Sequence, residues 1–265
     1  MKSNTLLCAF CAGLALIGTD SAAEISLSAD QPAELHEAGD AFTFVRIEYD
    51  NSLSSSDWYE NEGWGRRRTW AVDFPASDQN FLRGVRRLTN IHVNGEPIVM
   101  RLDDDRIFEY PFLYMLEVGR QGIQLSEKEM GNLREYLLRG GFLFIDDFWG
   151  SWQWANFYIT FSQVFPDRSV VELTKDHQIF HSFYDIEGPQ MIPRIYNVNN
   201  YPEQDIDVAI NRAVLDDDGR VMVLMNWNSD IGDGWEHTYH PSYPTQYANM
   251  AYRLGINYLM YALTH

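Results

Sequence analysis

Leu133-Arg134-Glu135-Tyr136-Leu137-Leu138-Arg139-Gly140-Gly141-Phe142-Leu143-Phe144-Ile145-Asp146-Asp147 is the stretch on which the fold of this chain turns. It continues a helix that Ser126 and Glu129 open as a capping box, with Met130, Leu133 and Leu137 along one apolar stripe. Gly140 stands where a left-handed residue would end that helix. Phe142 to Ile145 is then an unbroken apolar run, the pattern of a strand buried on both faces, and it delivers two carboxylates into the turn that follows.

Working outward, Tyr110 to Glu117 has the same unbroken character between Pro111 and Gly119, and Phe42 to Tyr49 reads as a first strand. Ser77 or Asp78 can cap a helix facing inward through Phe81, Val85 and Leu88, with a short strand at Ile91 to Val93 after it. Downstream come strands at Val170 to Leu173 and Val221 to Leu224, the latter entered from the Asp216-Asp217-Asp218-Gly219 turn, and a closing helix from about Tyr247 to Leu263. Residues 50–76 have no helical period and read as a long loop. Buried strands alternating with amphipathic helices predict one α/β domain over 41–265, a three-layer structure with a mainly parallel sheet flanked by helices.

Residues 1–23 carry the marks of a signal peptide: Lys2, an apolar run from Leu6 to Ile17, and small residues at Ser21-Ala22-Ala23. Residues 24–40 read as a polar arm. The expectation is an exported protein, periplasmic or extracellular, with no integral membrane segment in the mature chain. Cys8 and Cys11 are the only cysteines and lie inside the leader, so disulfides, thiolate metal sites and cysteine nucleophiles are excluded after cleavage. The formal charge of −18 argues against a nucleic-acid partner.

Parallel sheets bind ligands beyond the carboxyl ends of their strands. All eight tryptophans fall in segments that follow three of the predicted strands: Trp58, Trp64 and Trp70, then Trp149, Trp152 and Trp154, then Trp227 and Trp235. Asp73, Asp146, Asp147, Asp230, Asp233 and Glu236 accompany them. Of the adjacent pair, Asp147 is expected to point along the ligand edge, since neighbours in an extended strand face opposite sides. A buried aspartate at a turn can equally brace loop amides, and tryptophans can simply pack. His177 and His181, and the group Glu236, His237 and His240, have spacings a metal could use but no supporting motif, so no metal and no cofactor is assigned. His177 reads better as a partner of a backbone turn. The runs Asp103 to Asp105 and Asp216 to Asp218 are broken by Arg106 and Arg220 before a calcium loop can form. Arg66-Arg67-Arg68 can pair with the chain's own carboxylates or favour an anionic ligand.

Phe44-Val45-Arg46-Ile47-Glu48-Tyr49, Trp70-Ala71-Val72-Asp73-Phe74-Pro75, Tyr110-Pro111-Phe112-Leu113-Tyr114, the helix-Gly-Gly-strand-Asp-Asp stretch, Asp176-His177 with Phe180, and Asn228-Ser229-Asp230 before Trp235 together resemble domain-of-unknown-function family 4159. The resemblance runs from about Phe42 to Leu263 and implies a class I glutamine amidotransferase-like (flavodoxin-like) fold, similar also to trehalose-utilisation-type proteins. Cysteine-dependent glutaminase chemistry does not carry over, because Asp146-Asp147-Phe148-Trp149-Gly150 stands where that family of folds places its cysteine. The expected function is a cell-envelope binding domain whose aromatic, acidic cleft takes a saccharide or an envelope protein partner. Trp64, Asp146, Trp149, Trp152, Asn228, Asp230 and Trp235 would be its ligand-binding residues. The alternative is a hydrolase or sugar-modifying enzyme using Asp147 with Glu236 or His237 as catalytic groups.

Overall fold

The computed structural model describes residues 41–52, 69–198 and 208–265, so the leader, the arm, Trp58, Trp64 and the Arg66-Arg67-Arg68 run lie outside the described residues. The strands are β1 (Val45–Glu48), β2 (Ile98–Arg101), β3 (Phe112–Leu116), β4 (Phe142–Phe148), β5 (Val170–Glu172), β6 (Ile210–Leu215) and β7 (Val221–Trp227). The helices are α1 (Ala76–Leu88), α2 (Glu127–Leu138), α3 (Gly150–Phe161), α4 (Ile231–Glu236) and α5 (Thr245–Thr264). One sheet runs β2-β1-β3-β4-β7-β6-β5. Its first five strands are parallel, while β6 and β5 join antiparallel at one margin. The molecule is thus an α/β fold with a mostly parallel, mixed sheet flanked by helices. No helix among the described residues is long and apolar enough to cross a membrane.

The three apolar runs become the middle of the sheet: every residue of β3, β4 and β7 is buried. Alternation along these strands gives the faces different chemistry. One face presents Val45, Ile47, Leu113, Met115, Leu143 and Ile145 to Leu133 and Leu137 of α2 and Phe157 and Phe161 of α3, a mainly aliphatic core. The other is aromatic. Phe44 packs edge-on to Phe81 of α1 and to Trp235 of α4, and Phe144 packs edge-on to Tyr258 of α5.

A polar row, joined by one cation–ring contact and then by hydrogen bonds, crosses this aromatic face toward the carboxyl end. The Arg46 guanidinium lies 4.8 Å from the centre of the Tyr114 ring, and the Tyr114 hydroxyl donates to Asp146 Oδ2 at 3.1 Å. Asn226 Nδ2 donates to Asp146 Oδ1 at 2.6 Å, and Asn211 Nδ2 donates to Asn226 Oδ1 at 3.1 Å. The row links β1, β3, β4, β7 and β6, and each of its side chains is fully buried. Burial without partners would be costly for every one of these groups, so the row must form as a unit.

Several local expectations need correction. The strand expected at Ile91 to Val93 is a single bridge between Phe42 and Val93, and β2 forms beyond the exposed Gly95-Glu96 turn. Ser77 and Asp78 lie within the first turn of α1 rather than capping it, because both are held by Arg46; Pro75, after a cis peptide bond, takes the N-cap place. The strand expected to stop at Ile145 continues to Phe148, so Asp146 and Asp147 belong to β4 and not to a turn. The capping box at Ser126 and Glu129 is present, and Gly140 adopts φ 105° just beyond α2.

Candidate functional site

The carboxyl edge carries residues in left-handed backbone: Asp147 (φ 52°) near the end of β4 itself, and Asp73 (φ 60°), Glu117 (φ 53°) and Asn228 (φ 62°) in the segments that follow β1, β3 and β7. These are the non-glycine residues with positive φ among the described residues. Asp and Asn tolerate this region better than most side chains, and strain of this kind gathers where the chain is held for a purpose.

At β4 the distortion is a bulge, for the pairing with β7 shifts register between Ile145 and Phe148. It frees Asp147 from simple alternation. Asp146 stays on the aromatic face and also accepts the Gly232 N–H at 2.9 Å. Asp147 accepts from Trp149 Nε1 at 2.8 Å and from Arg194 Nε at 2.9 Å and Nη2 at 2.6 Å. Arg194 also reaches Glu117 at 3.3 Å and stands 3.7 Å from Asp230 Oδ2, so one cation serves three carboxylates.

Beyond β7, Asn228 is a brace: it accepts the Gly150 N–H at 2.8 Å and donates to the Val208 carbonyl at 3.0 Å. Asp230 caps α4 by accepting the Asp233 N–H at 2.7 Å. Asp233 Oδ2 accepts the Ile195 N–H at 2.6 Å, and its other oxygen lies 3.4 Å from His237 Nε2, which is 3.1 Å from Glu236. Carboxylate oxygens of Asp73, Asp230 and Asp233 fall within 4.8 Å of one another, as do the ligating atoms of Asp233, Glu236 and His237. Both sets contain the donor types that hold metal ions.

Crowding of carboxylates shows in their acidities. Burial, then Asp233 and Glu236, holds the Asp73 carboxyl well above the usual range, and burial with Asp147 and Asp233 does the same to Asp230. Burial raises Asp233 as well. Burial, together with Asp147, lifts Glu117 to about 7, and burial lifts Asp146 to about 7 against the pull of its Asn226 bond. Burial works against the His237 cation, yet its bonds to Asp233 and Glu236 carry it up to about 9.

The residues anticipated from sequence divide by accessibility. Trp149, Trp235, Asn228 and Asp146 are fully enclosed, while Trp152 is 57% exposed on α3. Trp235 stacks on Phe81 at 4.3 Å and belongs to the aromatic core. Trp154 and Trp227 clasp the Arg212 guanidinium at 4.1 and 4.0 Å. Glu236 and His237 sit together on the partly open rim, whereas Asp147 is bound to Arg194 and Trp149 beneath it. His177 accepts from the Ile179 N–H, His181 pairs with Asp185, and His240 accepts from the Ser242 N–H, so these three serve local turns.

Three contributors escaped the sequence reading. Glu117 hides at the end of an apolar run, Arg194 lies in a segment without periodicity, and Tyr196 is a lone tyrosine. Tyr196 is 74% exposed, and its hydroxyl is made less acidic by partial burial and then by Asp233, Glu236 and Asp73. An open aromatic ring therefore stands beside the acidic rim.

The model of the family described as Domain of unknown function (DUF4159) matches residues 43–263. The chain belongs to this family. No curated protein matches it at a significant level. The family match spans every strand described above and all of the helices but the last residue of α5, so the acidic edge lies wholly within the family's domain.

Proposed function

We propose that this member of the DUF4159 family is an exported cell-envelope domain that binds a saccharide at the carboxyl edge of its sheet, on a fold related to class I glutamine amidotransferases but without their reaction. What supports the fold relationship is Asp147, held at φ 52° at the end of a central parallel strand, the place where such a fold puts its nucleophile. A carboxylate tied to Arg194 and an indole there can anchor but cannot replace a thiolate.

The observation that carries the ligand reading is the exposed Tyr196 ring beside Asp73, Asp233 and Glu236. Sugars present an apolar face to aromatic rings and hydroxyl donors to carboxylates, and this rim supplies both. Calorimetric titration of the mature protein with soluble glycans and muropeptides tests it. Tyr196→Ala should weaken a binding glycan about tenfold, a loss of about 1.4 kcal/mol. Binding of a partner protein alone, indifferent to Tyr196, would overturn the saccharide assignment.

A second reading is a hydrolase. His237, kept protonated between Asp233 and Glu236, is a proton donor facing carboxylates, which favours acid chemistry centred there. Turnover of chromogenic glycosides abolished by His237→Gln would establish this reading in place of simple binding.

A further inference from the structure

We propose that Asp73, Asp230 and Asp233 form the binding site for one hard divalent cation. The inference takes the carboxyl edge as the functional site and names what else it holds.

The first support is geometric. One oxygen from each residue lies within 4.8 Å of the others, and oxygens bound to a single calcium or magnesium ion are at most about 5 Å apart. Among the described residues the neighbouring cations are shared: Arg46 holds Asp78, Arg194 holds Asp147 and Glu117 and stands 3.7 Å from Asp230 Oδ2, and His237 lies against Glu236 as well as Asp233.

The second support is independent of the cluster's composition. Asp73 is 9% exposed, and its Oδ2 is buried with no hydrogen-bond donor. A buried carboxylate oxygen without a donor is unusual in a folded protein, and a bound cation would satisfy it. This oxygen lies beside Gly232. A methyl group built there would stand 2.9 Å from Asp73 Oδ2, 3.0 Å from the Tyr114 hydroxyl and 3.3 Å from Asp230 Oδ1, so glycine keeps the space between these oxygens clear.

An all-oxygen set of three carboxylates suits Ca²⁺, Mg²⁺ or Mn²⁺ better than a softer ion. The Ile195 N–H donates to Asp233 Oδ2 and His237 lies 3.4 Å from its Oδ1, which holds the Asp233 carboxylate in place, and Asp230 is fixed by its bond to the Asp233 N–H. Such outer contacts orient metal-binding carboxylates.

The test uses the full chain, stripped with chelator and desalted, and titrated separately with Ca²⁺, Mg²⁺ and Mn²⁺ by calorimetry. Tb³⁺ luminescence sensitised by the nearby Trp235 gives a second readout. One equivalent should bind and raise the melting temperature, and Asp73→Asn should weaken binding at least tenfold. The ion-free Asp73→Asn protein should melt no lower than wild type, since an amide is not repelled by the neighbouring carboxylates. Should it fail to fold, Asp230→Asn, which retains an N-cap acceptor, serves in its place with the same expected loss. Wild-type protein that binds none of these ions, or variants that bind as wild type does, would overturn the proposal. Because no glycan is present, its failure leaves the Tyr196 measurement standing, and failure of the glycan titration leaves the ion result standing.

Discussion

Two charged regions are buried at neighbouring points of the carboxyl edge, and they are built on opposite terms. At Arg46, a fully enclosed cation meets the enclosed Asp78, with Nε 3.1 Å from Asp78 Oδ2, and it gives its remaining donors to Ser77 and to the carbonyls of Trp70 and Val72. At Asp73, Asp230 and Asp233 three carboxylates gather, and among the described residues the cations nearest them, Arg194 and His237, are shared with other carboxylates. The first arrangement satisfies its charge internally and holds the chain; the second leaves charge for something else to meet. The regions are joined, because the carbonyls that Arg46 grips belong to the residues leading into Asp73. A satisfied ion pair thus positions a cluster of carboxylates, a division between support and site that a charge count would not show.

The largest effect should come from breaking the satisfied region. Arg46→Met strands Asp78 in the core and should lower unfolding free energy by about 3–5 kcal/mol, while Arg46→Met with Asp78→Leu should recover much of the loss. Denaturant midpoints of the single and double variants measure this. Next comes Asp146→Ala, which removes the acceptor of the Tyr114 hydroxyl, the Asn226 amide and the Gly232 N–H, for a loss of about 2–3 kcal/mol on the same assay.

Glu117 sharpens the comparison through pH. Its carboxyl is lifted from 4.5 to about 7 in the fold, so the folded protein holds the proton more tightly than the unfolded chain. Its contribution is complete below pH 4.5 and is lost as pH rises through about 7, with a slope of at most about 1.4 kcal/mol per pH unit. Melting temperatures across that window should fall less steeply for Glu117→Gln. The smallest effect on stability belongs to Tyr196→Ala, an exposed position, expected within about 0.5 kcal/mol of wild type.

Much of the frame was legible because the central strands are unbroken apolar runs and α2 carries its own capping signal. β2 was missed because Ile98 to Arg101 is a short, half-exposed margin, and β6 because Asn211 and Arg212 interrupt its pattern. α3 is crowded with Trp152, Trp154, Phe157 and Tyr158, and aromatics spread around a helix leave no clear stripe; α4 has only six residues, two of them glycine. The site was half legible. Following the strands to their carboxyl ends brought Asp73, Asp230 and Asp233 into view, but spacing could not say that they converge. Spacing also could not say which tryptophans are enclosed, and among the described residues Trp149, Trp227 and Trp235 are buried.

The polar row across five strands acts as a gauge of alignment. Were β4 to pair one residue out of step, Asp146 would turn into the aliphatic layer and Ile145 would face Tyr114 and Asn226, leaving donors on both neighbours without an acceptor. Apolar strands of similar composition can slide past one another at little penalty. A single carboxylate flanked by fixed donors makes each wrong alignment expensive at once, so this sheet can be read correctly in only one way.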